Sequence, residues 1–170
     1  MRQRRIQHPH GGHHRNSDPR RAHPAGVHGE SWFDRQWGPL PDRQTQPSSW
    51  TWMDLNLSNG DKVSLWDQRG KTRNAFATIL SPDGTHTVTT VTTAYDPSSL
   101  WTSPVSGNRY ATRWTVTIPA RHATLTVTVT ADNQELLAPF PRYEGSAKVT
   151  GTYGGHHVTG YTYAEAFAVK

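Results

Sequence analysis

The sequence contains no cysteine, which removes disulfide frameworks, thiolate zinc sites and cysteine nucleophiles together. It has no stretch approaching the roughly 20 apolar residues of a membrane-spanning helix. The N-terminus lacks the apolar middle region of a secretory signal, so neither a span nor an export signal is expected of this chain, and localisation is left open. No Gly-x-Ser-x-Gly elbow occurs, so serine hydrolase chemistry has no nucleophile to rest on. Large aliphatic residues are almost missing from the first 24 positions, where Ile6 stands alone.

That poverty has a consequence. A segment of Arg, His, Pro and Gly buries too little apolar surface to offset the entropy of ordering, so residues 1–25 are predicted to be a disordered, basic tail ahead of one domain at 26–170. The tail also explains the charge. It holds six arginines and one acid, Asp18, which account for the whole net charge of +5, while twelve Lys/Arg face twelve Asp/Glu from Gly26 onward. A nucleic-acid-binding fold would carry its basic patch on the folded part, so no nucleic-acid partner is expected. His8, His10, His13 and His14 are close enough to chelate a cation, but a mobile tail supplies no oriented supporting groups, so no metal site and no cofactor are expected.

What the chain has in abundance is alternation. Residues 49–57 (SWTWMDLNL), 62–67 (KVSLWD), 75–80 (AFATIL), 87–95 (TVTTVTTAY), 113–118 (RWTVTI) and 123–130 (ATLTVTVT) repeat at period two and are rich in Val, Thr and Trp, the pattern of half-buried strands. Asn59-Gly60 and Asp83-Gly84 are hairpin signals, and Ser106-Gly107-Asn108 and Gly154-Gly155 mark further reversals. Two more strands are read at 143–152 and 156–168. No crossover helix is available for parallel pairing, so the fold is all-β and antiparallel, an up-and-down barrel or curved sandwich of eight to ten strands. The segments 96–110 and 133–142 are read as long loops that cover a barrel mouth.

Residues 29–38 run GESWFDRQWG, followed in order by Trp50-x-Trp52, Asn59-Gly60, Trp101-Thr102-Ser103, Ser106-Gly107, residues 114–119 (WTVTIP), Gln134-Glu135, Tyr143-Glu144-Gly145, Gly151, Gly160-Tyr161 and Glu165. This series resembles the hydroxyneurosporene synthase family, the lipocalin-like carotenoid hydratases and their AttH-like relatives, over nearly all of 26–170. The resemblance implies a lipocalin-like barrel. It also implies that the chain matches the second of two such domains, so that a first lipocalin-like domain is a missing partner and this chain alone, as a fragment, is expected to be inactive. Relatives are often secreted or envelope-associated.

The family's hydratases protonate an isolated carbon–carbon double bond with an aspartic acid, and the matching residue here is Asp34. Trp32 stands where the hydratases have tyrosine, and Arg35 follows the acid. If Trp32 and Trp37 wall Asp34 from water, its pKa rises and it holds a transferable proton; the alternative is an Asp34–Arg35 ion pair at a strand end. Trp32, Trp37, Trp50, Trp52, Trp66, Trp101 and Tyr143 are the candidate ligand-binding residues, since flat rings match a conjugated chain and stabilise a carbocation. Aromatics also fill small barrels without any ligand, so core packing is the competing role for each. Glu144 and Glu165 either add polar groups to a cavity or pair with Arg142 or Arg113. Two functions follow: a hydratase-type lyase or a cyclase/isomerase acting on an apolar isoprenoid or polyketide chain, or a non-catalytic lipocalin-like module that binds a hydrophobic small molecule.

Overall fold

The computed structural model describes Phe33 and residues 49–169. Trp32, Asp34, Trp37 and the tail at 1–25 lie outside the described residues. Among the described residues there are twelve strands: β1 Ser49–Leu57, β2 Lys62–Arg69, β3 Arg73–Leu80, β4 His86–Thr90, β5 Thr92–Tyr95, β6 Leu100–Thr102, β7 Arg109–Ala111, β8 Arg113–Ile118, β9 Ala123–Val129, β10 Glu135–Leu136, β11 Arg142–Tyr153 and β12 His156–Ala166. Short 3-10 turns at Pro97–Ser99 and Pro119–Arg121 are the helical pieces among them. All of these belong to the unit Pro41–Lys170.

Every pairing is antiparallel, in the order β4-β3-β2-β1-β12-β11-β9-β8-β5, with β10 on β11 and β6-β7 as a separate hairpin. The all-β antiparallel barrel expected from alternation is the fold. Its two hairpin signals act as their chemistry dictates. Gly60 and Gly84 take φ of +92° and +85°, and the preceding Asn59 and Asp83 side chains accept from the Asp61 and Thr85 amides at 3.1 and 2.8 Å, the Asx geometry that favours these residues in tight turns.

The run 87–95, read as one strand, is two. β4 pairs only with β3 and β5 only with β8, and the two are joined by the buried residue Val91. The end strands of the sheet path are therefore consecutive pieces of chain, and the sheet curls back on itself until a single residue links its edges. The barrel is thus nearly closed, with the outer edges of β4 and β5 left without a backbone ladder between them. The segments 96–110 and 133–142, read as loops, carry β6, β7 and β10; strands of two or three residues are too short for alternation to reveal.

One phase of the alternation fills the barrel. Met53, Leu55, Val63, Leu65, Ile79, Val116, Ile118, Leu125, Val127 and Val149 are fully buried and form one cluster. The opposite phase of β8, β9 and β11 presents Thr115, Thr124, Thr126, Thr128, Thr150 and Thr152 to solvent, where β-branched residues suit a solvated sheet face.

Where β12 crosses β1, the backbones approach so closely that a Cβ on Gly160 would lie 2.3 Å from the Asn56 carbonyl oxygen. That neighbour is backbone and cannot swing aside. Gly160→Ala is therefore expected to destabilise the barrel by about 1–3 kcal/mol through overpacking, seen as a lower urea midpoint with an unchanged slope. A midpoint equal to the wild type would show that the two strands separate without cost.

Candidate functional site

The chain alternates Val63, Leu65, Asp67 in β2, so the phase that points Val63 and Leu65 into the core points Asp67 inward as well. Its side chain is 1% exposed. A buried carboxylate needs compensation, and four donors supply it. Arg73 clamps it through Nε at 2.9 Å and Nη2 at 2.8 Å, Arg69 Nη2 approaches at 3.2 Å, and the Thr93 hydroxyl donates at 2.5 Å. Arg69 also donates to the Thr93 carbonyl oxygen at 2.9 Å. Burial pushes the Asp67 carboxyl up, but the hydrogen bonds from Arg73, Thr93 and Arg69 together outweigh it and hold the group below the ordinary aspartate range. Asp67 also raises Arg73 above the usual arginine value.

This network sits at the end of the barrel formed by the start of β1, the end of β2, β5, the start of β8 and the end of β12. A cleft of about 290 Å³ opens there, lined by Trp50, Arg69, Thr93, Tyr95, Trp114 and Phe167 together with small residues that include Ala111 and Ala166. Trp114 and Thr93 are buried, so the cleft reaches from the rim into the packed interior. Its walls are aromatic. Trp50 stacks on Phe167 at 6.0 Å and meets Trp66 edge-on at 4.8 Å. The Trp50 indole Nε1 is buried and has no hydrogen-bond acceptor.

A second polar cluster holds the neighbouring hairpin. Glu135 of β10 accepts from Ser103 at 2.5 Å, Ser106 at 2.5 Å and the Tyr110 phenol at 2.7 Å. Burial tends to raise the Glu135 carboxyl, but the Ser103, Ser106 and Tyr110 donors lower it below the usual glutamate value. Burial and that carboxylate push Tyr110 up to about 12. Trp101, Tyr110 and Tyr143 then pack as a triad with centroids 5.6–6.5 Å apart. At the opposite barrel end, the Tyr153 hydroxyl donates to buried Asp61.

The predicted site residues thus fall into separate groups. Trp50, Trp52 and Trp66 meet in one aromatic cluster extended by Phe76; its members share the phase opposite Met53 and Leu65, so they lie on the outer side of the sheet, with Trp50 at the cleft. Trp101 and Tyr143 meet in the triad beneath the hairpin. Asp34, Trp32 and Trp37 lie outside the described residues. Glu144 pairs with Arg142 at 2.5 Å, and Glu165 lies 3.8 Å from the same guanidinium. Sequence reasoning missed Asp67, Arg69, Arg73 and Thr93. The available signal was an acid in phase with apolar core positions. Among the described residues no group of three or more His, Asp or Glu is placed to hold a metal ion, and no helix is long and apolar enough to cross a membrane.

A family model described as AttH-like matches residues 19–166. No curated protein sequence matches the chain. Among solved structures, kievitone hydratase from Nectria haematococca is similar at 24% identity and a TM-score of 0.70, covering 80% of this chain and 43% of that one. A Nitrosomonas europaea protein assigned to AttH is similar at 23% identity and a TM-score of 0.60, covering 75% of this chain and 40% of its own. The chain therefore spans less than half the length of either.

The clamp on Asp67 makes a pH-dependent contribution of definite sign. A carboxyl held below its unfolded value adds stability above about pH 4, and that stability is lost as pH falls through the folded value. Asp67→Asn is expected to cost about 1–3 kcal/mol at pH 7 and to lose less stability than the wild type between pH 5 and pH 2. Parallel urea midpoints for the two proteins across that range would show that Asp67 is not clamped.

Proposed function

Because the chain belongs to the AttH-like family, we propose that it is a lipocalin-like, hydratase-family barrel that binds a small apolar molecule at one mouth, as one half of a two-domain protein. The observation that carries this is the cleft of about 290 Å³ with Trp50, Tyr95, Trp114 and Phe167 in its lining. Binding sites are concave, mostly apolar and furnished with few polar groups. Here those groups are Arg69 and Thr93. The packed interior beyond Trp114 limits the ligand to a ring system or a chain terminus at the mouth.

Support for a two-domain protein comes from the coverage: the chain accounts for 43% of a fold neighbour that is a hydratase. A catalytic role follows from that reading. In such an assembly a carboxylic acid would transfer its proton to one alkene carbon, water would attack the cation left on the other, and the proton shed by that water would regenerate the acid. Asp67 and Glu135 are both held below their ordinary range, so both are ionised near neutral pH and unsuited to donate. Asp34 is the acid that the family resemblance implies, and it is the proposed proton donor. The same acid could start an isomerisation or cyclisation. A non-catalytic binding module is the alternative, favoured by a cleft formed within this domain itself.

Two outcomes are expected. Titrating the purified chain with a polyene or naphthalene-type ligand should quench tryptophan fluorescence with micromolar affinity, and Trp50→Ala should weaken binding about tenfold or more, the effect of removing an aromatic anchor. Unchanged fluorescence across such a panel would contradict the binding reading. In the two-domain form, Asp34→Asn should keep ligand affinity and lower turnover by roughly two to four orders of magnitude. Undiminished turnover would remove Asp34 from the chemistry and leave binding alone.

A further inference from the structure

The two ends of the barrel carry different connections. At the cleft end, where β1 and β11 begin and β2 and β12 finish, emerge the turn 70–72 and the two long connections 96–112 and 130–141. The opposite end has the tight turns 58–61, 81–85, 119–122 and 154–155, and none of them contains a large apolar residue. Val105 (72% exposed), Leu136, Leu137 (49%) and Phe140 all lie at the cleft end.

Residues 136–141 run Leu-Leu-Ala-Pro-Phe-Pro, and every one of them is exposed. Chain that faces water is ordinarily polar, and so long an exposed apolar run is a fault in a surface unless it meets something. The segment is held outward rather than left loose. Pro139 and Pro141 fix their own φ, and Phe140 rests edge-on against Phe167 at 6.0 Å and under the Arg142 guanidinium at 5.3 Å. Glu135, immediately before the run, accepts from Ser103 and Ser106 on either side of Val105, so the β6–β7 hairpin tip is tied beside it. Lys71 and Arg109 are exposed at the same end, and neither has an acidic partner among the described residues. A protein–protein interface depletes charge at its core. Apolar tips set among unpaired cations instead match the boundary of an anionic bilayer, where acyl chains receive the tips and phosphate headgroups the cations.

We propose that the cleft end of the barrel docks on an anionic lipid surface, with Val105, Leu136, Leu137 and Phe140 entering the acyl boundary and Lys71 and Arg109 at the headgroups. The orientation follows from the polar turns of the opposite end, which stay in water. This inference stands apart from the ligand reading above, since no residue of the cleft lining carries it.

The arginines of residues 1–25 would also attract anionic lipid, so the test reads the loop itself. The sequence has no cysteine, and Leu137→Cys therefore gives the intact chain a single thiol for a polarity-sensitive nitrobenzoxadiazole dye, with His156→Cys at the opposite end as control. On vesicles of phosphatidylcholine with phosphatidylglycerol, the dye at 137 is expected to brighten and shift to the blue while the dye at 156 does not change. Combining Val105→Ser with Leu137→Ser, which removes no charge and no side-chain hydrogen bond, should keep the thermal midpoint and lower vesicle partitioning about tenfold. Lys71→Gln should lower it about threefold on the mixed vesicles and leave it unchanged on phosphatidylcholine alone. Partitioning that survives the double substitution, with an unmoved dye at 137, would assign the attraction to the arginines of residues 1–25 and overturn the proposal, as would no binding to either vesicle. A dye at 137 already blue without lipid, in a chain that sediments at twice its mass, would assign the loop to a second copy. The same signal in a monomeric two-domain form would assign it to a contact between domains, and either result would overturn the proposal.

Discussion

A sheet that curls back on itself must solve a problem at its seam. Here the chain leaves β3 at the end of β4, turns through Val91, and pairs with β8 as β5. No ladder of backbone hydrogen bonds joins β3 to β5 across that switch. The Asp67 network spans it. Asp67 on β2 receives Arg73 from β3 and the Thr93 hydroxyl from β5, while Arg69 reaches the Thr93 carbonyl. Side-chain hydrogen bonds replace main-chain ones at the place where the barrel changes partner, and an inward-pointing carboxylate that would be costly alone is satisfied by that task.

The cleft is a by-product of this solution. An apolar plug at the mouth would have completed the core, but a polar clasp on one side of the seam leaves space between Thr93, Trp114 and the β1 end of the sheet. Aromatic side chains then wall the space. Glu135 and the Trp101–Tyr110–Tyr143 triad hold the adjoining hairpin, so that Ala111 lines the same cleft. The other barrel end is tied by the Tyr153–Asp61 contact. Both ends are therefore tied by a buried carboxylate, and the cleft lies beside the Asp67 clasp.

Much of this was legible in the sequence for a physical reason. A strand buried on one face writes its register into every second residue, so β1 and β8 were bounded correctly at 49–57 and 113–118, and the Asx-Gly turns fixed the β1–β2 and β3–β4 hairpins. The partner switch at Val91 was invisible because alternation continues through it: Thr87, Thr89, Val91 and Thr93 keep one phase while the strand they face changes. The tryptophans were legible only in part. Trp50 and Trp52 were rightly placed on one face, but periodicity does not say which face is the inside, and the apolar bulk of Trp, Met and Leu in β1 fits either. Asp67 broke the apolar pattern in the inward phase, a local conflict of the kind that marks functional or strained positions. Asp34 was reached by resemblance alone.

The central claim is that the Trp50 end of the barrel is a ligand site, and the Trp50 Nε1 proton is its most direct reporter because it is a buried donor without an acceptor. In a nitrogen–proton correlation spectrum of the labelled chain, adding 2-naphthoate is expected to move the Trp50 indole signal progressively to saturation while the Trp101 signal, within the triad beneath the β6–β7 hairpin, stays in place. A Trp50 signal that does not move while others do, or no movement at all at millimolar ligand, would contradict the account.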